Sequence, residues 1–334
     1  MTFKTQLIFT ALLALGLQAN AQYTDEINSN RPGQSQSAFA VGKSVFQVET
    51  GVNGVYEKHN ILNNTAKGVT TDLALRYGAF DESLEFMADM QYRFDLYEDA
   101  IYSYNRNDFS KFVLGAKYLA YDPDKNYNPK PDLKSWWANR RFKWRTLIPA
   151  VAVYGGVHVM SKGPFTFPED KTSFKGMVIL QHHFGRWVWV NNIIFDKVGT
   201  TYPSTNWITT FTHGLSKRAS GFLEFQAIKS DYYADAIARV GGTYLIHEDL
   251  QVDASISGNF KDTPSVLYGG VGLSWRFDAD YKDILIGGKG DREDELKAEQ
   301  EKQKKEQEKH KKDRKAAREA RKKELEQPMG PAEP

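Results

Sequence analysis

The sequence predicts an all-β protein: a transmembrane antiparallel β-barrel of about 12 strands, followed by a charged C-terminal tail that is helical or disordered. Apolar and polar residues alternate from Leu84 to Phe94, which sends them to opposite faces of a strand. This alternation recurs from Phe46 to Phe277, behind a secretory signal. No later segment reaches the roughly 20 apolar residues that a transmembrane helix needs. The pattern is typical of a barrel with lipid outside and a polar lumen inside.

Residues 1–21 are predicted to form a signal peptide. Lys4 supplies its positive charge, residues 7–15 form its apolar core, and a small-x-small cleavage motif ends at Ala21. The apolar core is too short to cross a bilayer as an uncleaved anchor. The chain contains no cysteine, which excludes disulfides, thiolate zinc sites and cysteine nucleophiles.

Residues 22–43 form a polar, turn-rich segment that precedes the first strand and contains the sequence NSNRPGQSQS from Asn28. Two alternatives are open for this segment. It folds back into the lumen as a plug, because it is short and tethered at the mouth of the barrel, or it is a disordered lead-in. A barrel of about twelve strands leaves room for a plug, because roughly eight strands are already filled by their own side chains.

The barrel itself is predicted to span residues 44–278. Its twelve strands are placed at 44–56, 67–79, 83–97, 109–120, 144–158, 174–184, 187–197, 206–214, 220–229, 236–247, 250–260 and 266–278. With both chain ends in the periplasm, turns after even strands should be short and loops after odd strands longer. Loops 98–108, 159–173, 198–205 and 230–235 follow this rule, whereas the long connection at residues 121–143 breaks it.

Aromatic residues mark the predicted strand ends, as amphipathic rings do at the level of lipid headgroups. The tryptophans at these ends are Trp144, Trp187, Trp189, Trp207 and Trp275. The last strand ends in Phe277, and a terminal aromatic residue resembles the signal that the barrel-assembly machinery reads. We therefore expect that machinery and membrane lipid as partners.

The parity of each strand predicts which charged side chains line the lumen. The lumen candidates are Glu49, Asp72, Arg76, Glu85, Asp89, Gln91, Arg93, Lys111, Lys117, Lys175, Glu224, Gln226, Arg239, Asp253 and Arg276. Six acids and seven bases nearly cancel, whereas strongly selective ion pores carry a surplus of one sign. The balance predicts ion pairs across the barrel, with either a narrow polar path or a filled interior.

Residues 279–334 form the predicted tail, which we expect to lie in the periplasm. From Asp291 to Gln327 it is almost entirely Glu, Lys, Arg, Gln and Ala, without the apolar seam of a coiled coil. A single charged helix or a disordered tail fits this composition, and either form offers a surface for an outer-membrane or periplasmic protein partner. The connection at 121–143 offers a second docking surface or an anchor in the lipid headgroups. Its candidate docking residues are Trp136, Trp137, Arg140, Arg141 and Lys143.

Candidates for catalysis are few, and no enzyme activity is predicted. His182 and His183 lie on opposite faces of one strand, so they cannot hold a metal together, and His213 has no serine-type constellation around it. No cofactor or metal site is expected. The net charge of +2 comes from the tail, which gives no support for a nucleic-acid partner.

The sequence SNRPGQSQSAFAVGKSVFQVETGV from Ser29 resembles the N-terminal signature of an outer-membrane transporter family common in Bacteroidetes, the "putative MetA-pathway of phenol degradation" family. The signature residues Arg31-Pro32, Gly42, Gln47, Glu49 and Gly51 carry the resemblance. Ser29-Asn30 replaces the usual Thr-Asp, and Gln36 stands where an acid is common. The resemblance implies a medium-sized barrel channel for hydrophobic or aromatic compounds.

Two functions are consistent with the sequence. The first is a passive outer-membrane channel for small solutes. The second is an accessory or scaffold barrel of a larger outer-membrane complex, which docks partners through the periplasmic tail and the 121–143 connection.

Overall fold

A computed structural model describes residues 27–125, 144–159, 163–165 and 172–277. The predicted signal peptide, the first residues of the polar segment and the tail at 279–334 lie outside the described residues. So do the docking candidates Trp136, Trp137, Arg140, Arg141 and Lys143.

Twelve strands form a closed antiparallel barrel in which each strand pairs with its neighbours in sequence. The strands are β1 (Phe46–His59), β2 (Asn64–Gly78), β3 (Leu84–Glu98), β4 (Ser103–Tyr121), β5 (Ala150–His158), β6 (Ser173–Phe184), β7 (Trp187–Val198), β8 (Ser204–Gly214), β9 (Ala219–Ser230), β10 (Ala234–His247), β11 (Leu250–Asn259) and β12 (Ser265–Phe277). The barrel closes where β1 pairs with β12, from Phe46 opposite Phe277 to Lys58 opposite Ser265. Closure leaves no unpaired edge, and the predicted fold class is confirmed.

The outer face of the barrel is apolar and exposed. Val52, Phe94, Leu223 and Val271 each leave half or more of their surface uncovered, and similar residues recur on every strand. Such an apolar face is stable only against lipid, which makes the barrel a transmembrane one. In the described residues, no helix is long and apolar enough to cross a membrane.

One end of the barrel holds Phe46 and Phe277, and we call it the proximal end; the opposite end is the distal end. Trp187 and Trp275 lie exposed on strands near the proximal end, and Trp207 lies exposed near the distal end. The prediction that Trp144 begins the fifth strand is wrong. Residues Trp144–Leu147 form a 3-10 helix, and β5 begins at Ala150. Pro149 separates the two, because proline cannot donate to the strand ladder.

The prediction of a long loop at residues 98–108 is also wrong, because β3 ends only at Glu98 and β4 already begins at Ser103. A tight turn joins them. Asp99 closes it by accepting hydrogen bonds from the backbone N–H groups of Ile101 and Tyr102, each at 2.7 Å. The polar residues at 105–108, taken for a loop, are strand residues whose inward members pair inside the lumen.

Candidate functional site

Residues 27–45, which we call the plug, lie inside the proximal half of the barrel. Their backbone and side chains bond to inward side chains on strands around the whole circumference. The contacts are Val41 N to Glu85 on β3 (3.1 Å), Ala38 N to Gln181 on β6 (2.8 Å), Ser35 N to Glu224 on β9 (3.2 Å) and Ser29 Oγ with Ser274 Oγ on β12 (2.7 Å). A segment that touches four strands so spaced can only lie within the lumen. Of the two alternatives for this segment, the contacts of its described part correspond to the plug.

Arg31 holds the plug against the seam where the barrel closes. Its guanidinium donates to Asp253 on β11 at 3.3 and 3.4 Å and to Asp72 on β2 at 3.4 Å. Gly51 on β1 and Gly272 on β12 lie beside it, and a Cβ atom at either glycine would collide with the guanidinium. Two carboxylates and two glycines from four neighbouring strands therefore form a fitted socket for Arg31.

A fully buried ion network anchors the plug at the proximal end. Arg76 donates to Glu49 at 2.9 Å, to Glu85 at 2.6 and 3.1 Å, and to the backbone oxygen of Asn28 at 2.6 Å. Lys117 lies 3.2 Å from Glu85. The four charged side chains expose 1% of their surface or less. Charges taken out of water in this way must remain paired, so the network ties the plug to β1–β4.

Backbone groups of the plug also form hydrogen bonds with charged side chains of the wall, both within this network and on the opposite wall. Lys117 donates to the carbonyl oxygens of Ser37 and Phe39, each at 2.9 Å. On the opposite wall, Glu224 accepts the N–H of Gln34 at 3.1 Å and is paired with Arg239. The plug thus supplies polar partners that the wall would otherwise lack.

A second ion cluster lies in the distal half of the lumen, beyond the plug. Arg93 pairs with Glu57 through two bonds of 2.8 Å, and Arg106 pairs with Asp95 at 2.7 and 2.8 Å. Phe165, in the loop between β5 and β6, lies 5.1 Å from both guanidinium groups. The phenyl ring of Phe165 therefore lies over the paired arginines of β3 and β4.

The inward face of strands β3–β8 also carries apolar residues between its polar ones. A cluster of buried apolar residues joins the plug to these strands. Its members are Ala38, Met87, Val113, Leu119, Ala150, Ala152, Tyr154, Met177, Ile179, Val190, Ile194 and Ile208. Strands β5 and β7 carry mostly apolar residues on both faces, so alternation could not show which set lay inside. The plug residue Ala38 is packed into this cluster, which makes the proximal lumen a core.

A cavity of about 600 Å³ remains between the plug and strands β6–β11. Phe39 of the plug, Val188, Val190 and Phe222 contribute its apolar lining. Arg31, His183, Gln181 and several other amide and hydroxyl groups contribute its polar lining. This volume suits a small organic molecule. A second hollow, of about 920 Å³, lies on the lipid-facing wall at β2–β7, and we assign it to the surrounding lipid.

The sequence model of the family described as "Putative MetA-pathway of phenol degradation" matches residues 29–277. The chain belongs to this family. The match covers the plug and all twelve strands, so plug and barrel are one unit of the family. A comparison with curated protein sequences finds no match.

Solved barrels resemble this family member in architecture. The translocator domain of the autotransporter NalP from Neisseria meningitidis is 11% identical, with a TM-score of 0.45, over 82% of this chain and 96% of that one. An outer membrane channel from Pseudomonas putida F1 is 10% identical, with a TM-score of 0.46, over 75% and 100% of the two chains. The strand pairing itself establishes the fold.

The family signature is a set of touching residues in this structure. Arg31 occupies the socket beside Gly51. Gln47 donates to Glu49 at 2.7 Å and to the backbone oxygen of Asn28 at 3.2 Å. Glu49 in turn accepts the backbone N–H of Asn30 at 3.3 Å.

Every predicted lumen candidate on the strands of this family member lies on the inward face. Lys111 lies 3.7 Å from Asp89, Gln91 donates to Asp72 at 2.7 Å, and Arg276 shares the face of Ser274. The inward set comprises Glu49, Asp72, Arg76, Glu85, Asp89, Arg93, Lys117, Lys175, Glu224, Arg239, Asp253 and Arg276.

The prediction of ion pairs across the barrel is wrong for the wall residues. Their pairs join strands that are adjacent or two apart, as Arg76 does with Glu49 and Glu85. Arg31 is the residue that joins more distant strands, because it pairs with Asp72 on β2 and Asp253 on β11. Strand alternation could not identify it, because it lies outside any strand. Glu57 and Asp95 also lie in the lumen but were not among the predicted residues. They alternate in step with the predicted lumen residues of β1 and β3, so the strand period was sufficient to identify them.

Proposed function

We propose that this protein is an outer-membrane barrel that passes small, predominantly apolar solutes without catalysis. The cavity of about 600 Å³ between the plug and strands β6–β11 supports this most directly. Pockets of this size that combine apolar and polar lining groups are typical small-molecule sites. The family description names phenol degradation, and an aromatic solute agrees with that lining.

The charges of the lumen argue against an ion-selective pore. The arginines at 31, 76, 93, 106 and 239 are each paired with a carboxylate. Selective pores instead present a ring of unbalanced charge along the path. These ion pairs hold the plug and the wall in place, so a solute passes only when the plug moves.

In this proposal the proximal end faces the periplasm, as both chain ends do in single-chain barrels of this class. The charged tail then lies in the periplasm, where it is available to a protein partner. The rival function, a scaffold barrel in a larger outer-membrane complex, is favoured by one observation. The plug makes so many buried contacts that a permanently closed barrel is physically reasonable.

Uptake of two probes by cells that lack their general porins distinguishes these functions. We expect cells that produce the protein to take up the apolar dye N-phenyl-1-naphthylamine faster than cells with an equal amount of an unrelated barrel. Hydrolysis of the polar substrate nitrocefin by a periplasmic β-lactamase should not change. Faster nitrocefin entry alone would indicate a polar channel, and no change in either probe would favour the scaffold.

A further inference from the structure

Lys175 on β6 differs from the other inward cations of the lumen. Arg76, Arg93, Lys111 and Lys117 each have a carboxylate within 4.0 Å. In the part of the chain that the structure describes, Lys175 has no such partner. An ammonium group held in a partly buried lumen without a counter-ion is costly, unless an anion from outside occupies the place beside it.

The nearest wall carboxylates are already engaged. Asp89 on β3 is paired with Lys111 at 3.7 Å, and Asp196 on β7 bonds to His158 Nε2 at 2.6 Å. Each therefore balances a different basic group. Within the described residues, neither carboxylate forms an ion pair with Lys175.

Tyr154 on β5 supplies a second unused group at the same place. Its ring centre lies 5.9 Å from Lys175 Nζ. Its hydroxyl is buried and has no hydrogen-bond partner in the described residues. The hydroxyl lies next to Gly115 and Gly156, so close that a Cβ atom at either glycine would collide with it. Gly156 is opposite Lys175 in the β5–β6 register, so hydroxyl and ammonium lie at one level of the barrel.

The apolar cluster begins directly beside this pair. Tyr154 is opposite Met177 on β6, and Met177 is opposite Ile194 on β7. All three belong to the buried apolar cluster. A cation and an unused hydroxyl donor at the edge of an apolar surface match a ligand with a charged head and an apolar body.

We propose that Lys175 and Tyr154 bind the carboxylate of a small organic acid whose apolar body lies against Met177 and Ile194. The carboxylate accepts one hydrogen bond from the ammonium and one from the phenolic hydroxyl. This assignment rests on the proposed function, because it names the class of solute that the lumen selects. It predicts a preference for aromatic or aliphatic acids over neutral compounds of the same size.

Benzoate is a suitable probe, and benzyl alcohol is its neutral counterpart. Calorimetric titration of the full-length protein in lipid nanodiscs should show benzoate binding. Lys175→Met should weaken that binding roughly tenfold or more, the ratio expected when one charge-assisted hydrogen bond is lost. Lys175→Arg should restore most of it, and Tyr154→Phe should weaken it by a smaller factor. Lys58→Met removes an exposed lysine at the distal end of β1 and should leave binding unchanged.

Equal binding of benzoate by the wild-type protein and Lys175→Met would overturn the assignment, as would equal binding of benzoate and benzyl alcohol. Absence of benzoate binding to the wild-type protein would also overturn it. If the apolar dye still enters cells faster, these results would overturn the binding site but would not contradict the proposed function. Loss of dye entry together with intact benzoate binding would contradict the transport function and retain the site.

Discussion

Replacing Arg31 with alanine should turn a closed barrel into one that conducts ions. The substitution leaves Asp72 and Asp253 facing the same socket, where their negative charges repel each other and the plug has lost its contact with the seam. Loss of a charge-assisted contact of roughly 1.5–3 kcal/mol should raise the open fraction about tenfold or more. Single-channel recordings in planar bilayers would measure this increase.

Arg106→Ala is the matched control, because it also removes a paired lumen arginine but lies beyond the plug. Asp95 then retains Arg93, and we expect no change in open fraction. An Arg31→Ala barrel that remains as silent as the wild-type protein would show that this contact does not hold the lumen shut.

Replacing Arg76 with methionine should destabilise the barrel more than removal of Arg31 or Arg106 does. It leaves Glu49 buried without its cation and leaves Glu85 with Lys117 alone. Breaking a buried ion pair from one side costs about 3–5 kcal/mol, because an uncompensated charge remains. Urea unfolding of the purified barrel in detergent, followed by its heat-dependent mobility on gels, would report the change in the free energy of unfolding.

A second substitution separates charge from packing in this test. Glu49→Gln added to Arg76→Met removes the stranded charge, while Glu85 keeps its pair with Lys117. We expect the double variant to recover at least half of the lost stability. If the double variant is as unstable as Arg76→Met alone, the loss comes from packing around residue 76, and the ion network is not the cause.

The sequence was sufficient to predict the barrel because most strands alternate with the period that a lipid-facing wall requires. Parity also assigned Glu49, Arg76 and Glu85 to the inward face, since an ionised side chain cannot face lipid. It could not show which inward charges touch, because pairing depends on register and on a segment outside the strands. Arg31 was visible only as part of a signature, with no periodicity to place it.

The errors in the predicted strand ends and in the predicted lumen lining have similar physical causes. The polar residues at 105–108 read as a loop, but their Arg106 is neutralised by Asp95 within the lumen, so the strand continues. The apolar cluster inside the barrel was missed because β5 and β7 carry mostly apolar residues on both faces. In each case a contact between distant parts of the chain decided the outcome, and a local pattern could not reveal it.

If the plug closes the lumen, it must move for a solute to pass. A disulfide tests this directly, because the chain has no cysteine of its own and Ser29 Oγ lies 2.7 Å from Ser274 Oγ. The barrel with Ser29→Cys and Ser274→Cys should admit no apolar dye when oxidised and should regain wild-type uptake after reduction.

The control places a disulfide within the wall at the distal end, at Ser204 and Ser230, which are opposite each other in the β8–β9 register. Ser204→Cys with Ser230→Cys joins β8 to β9 away from the plug and from the cavity, so its dye uptake should be the same before and after reduction. The decisive measurement is the rate of dye uptake by cells with the oxidised plug-locked barrel. We expect this rate to fall to that of cells without the protein, and a rate equal to that of the wild-type barrel would contradict a plug that must move.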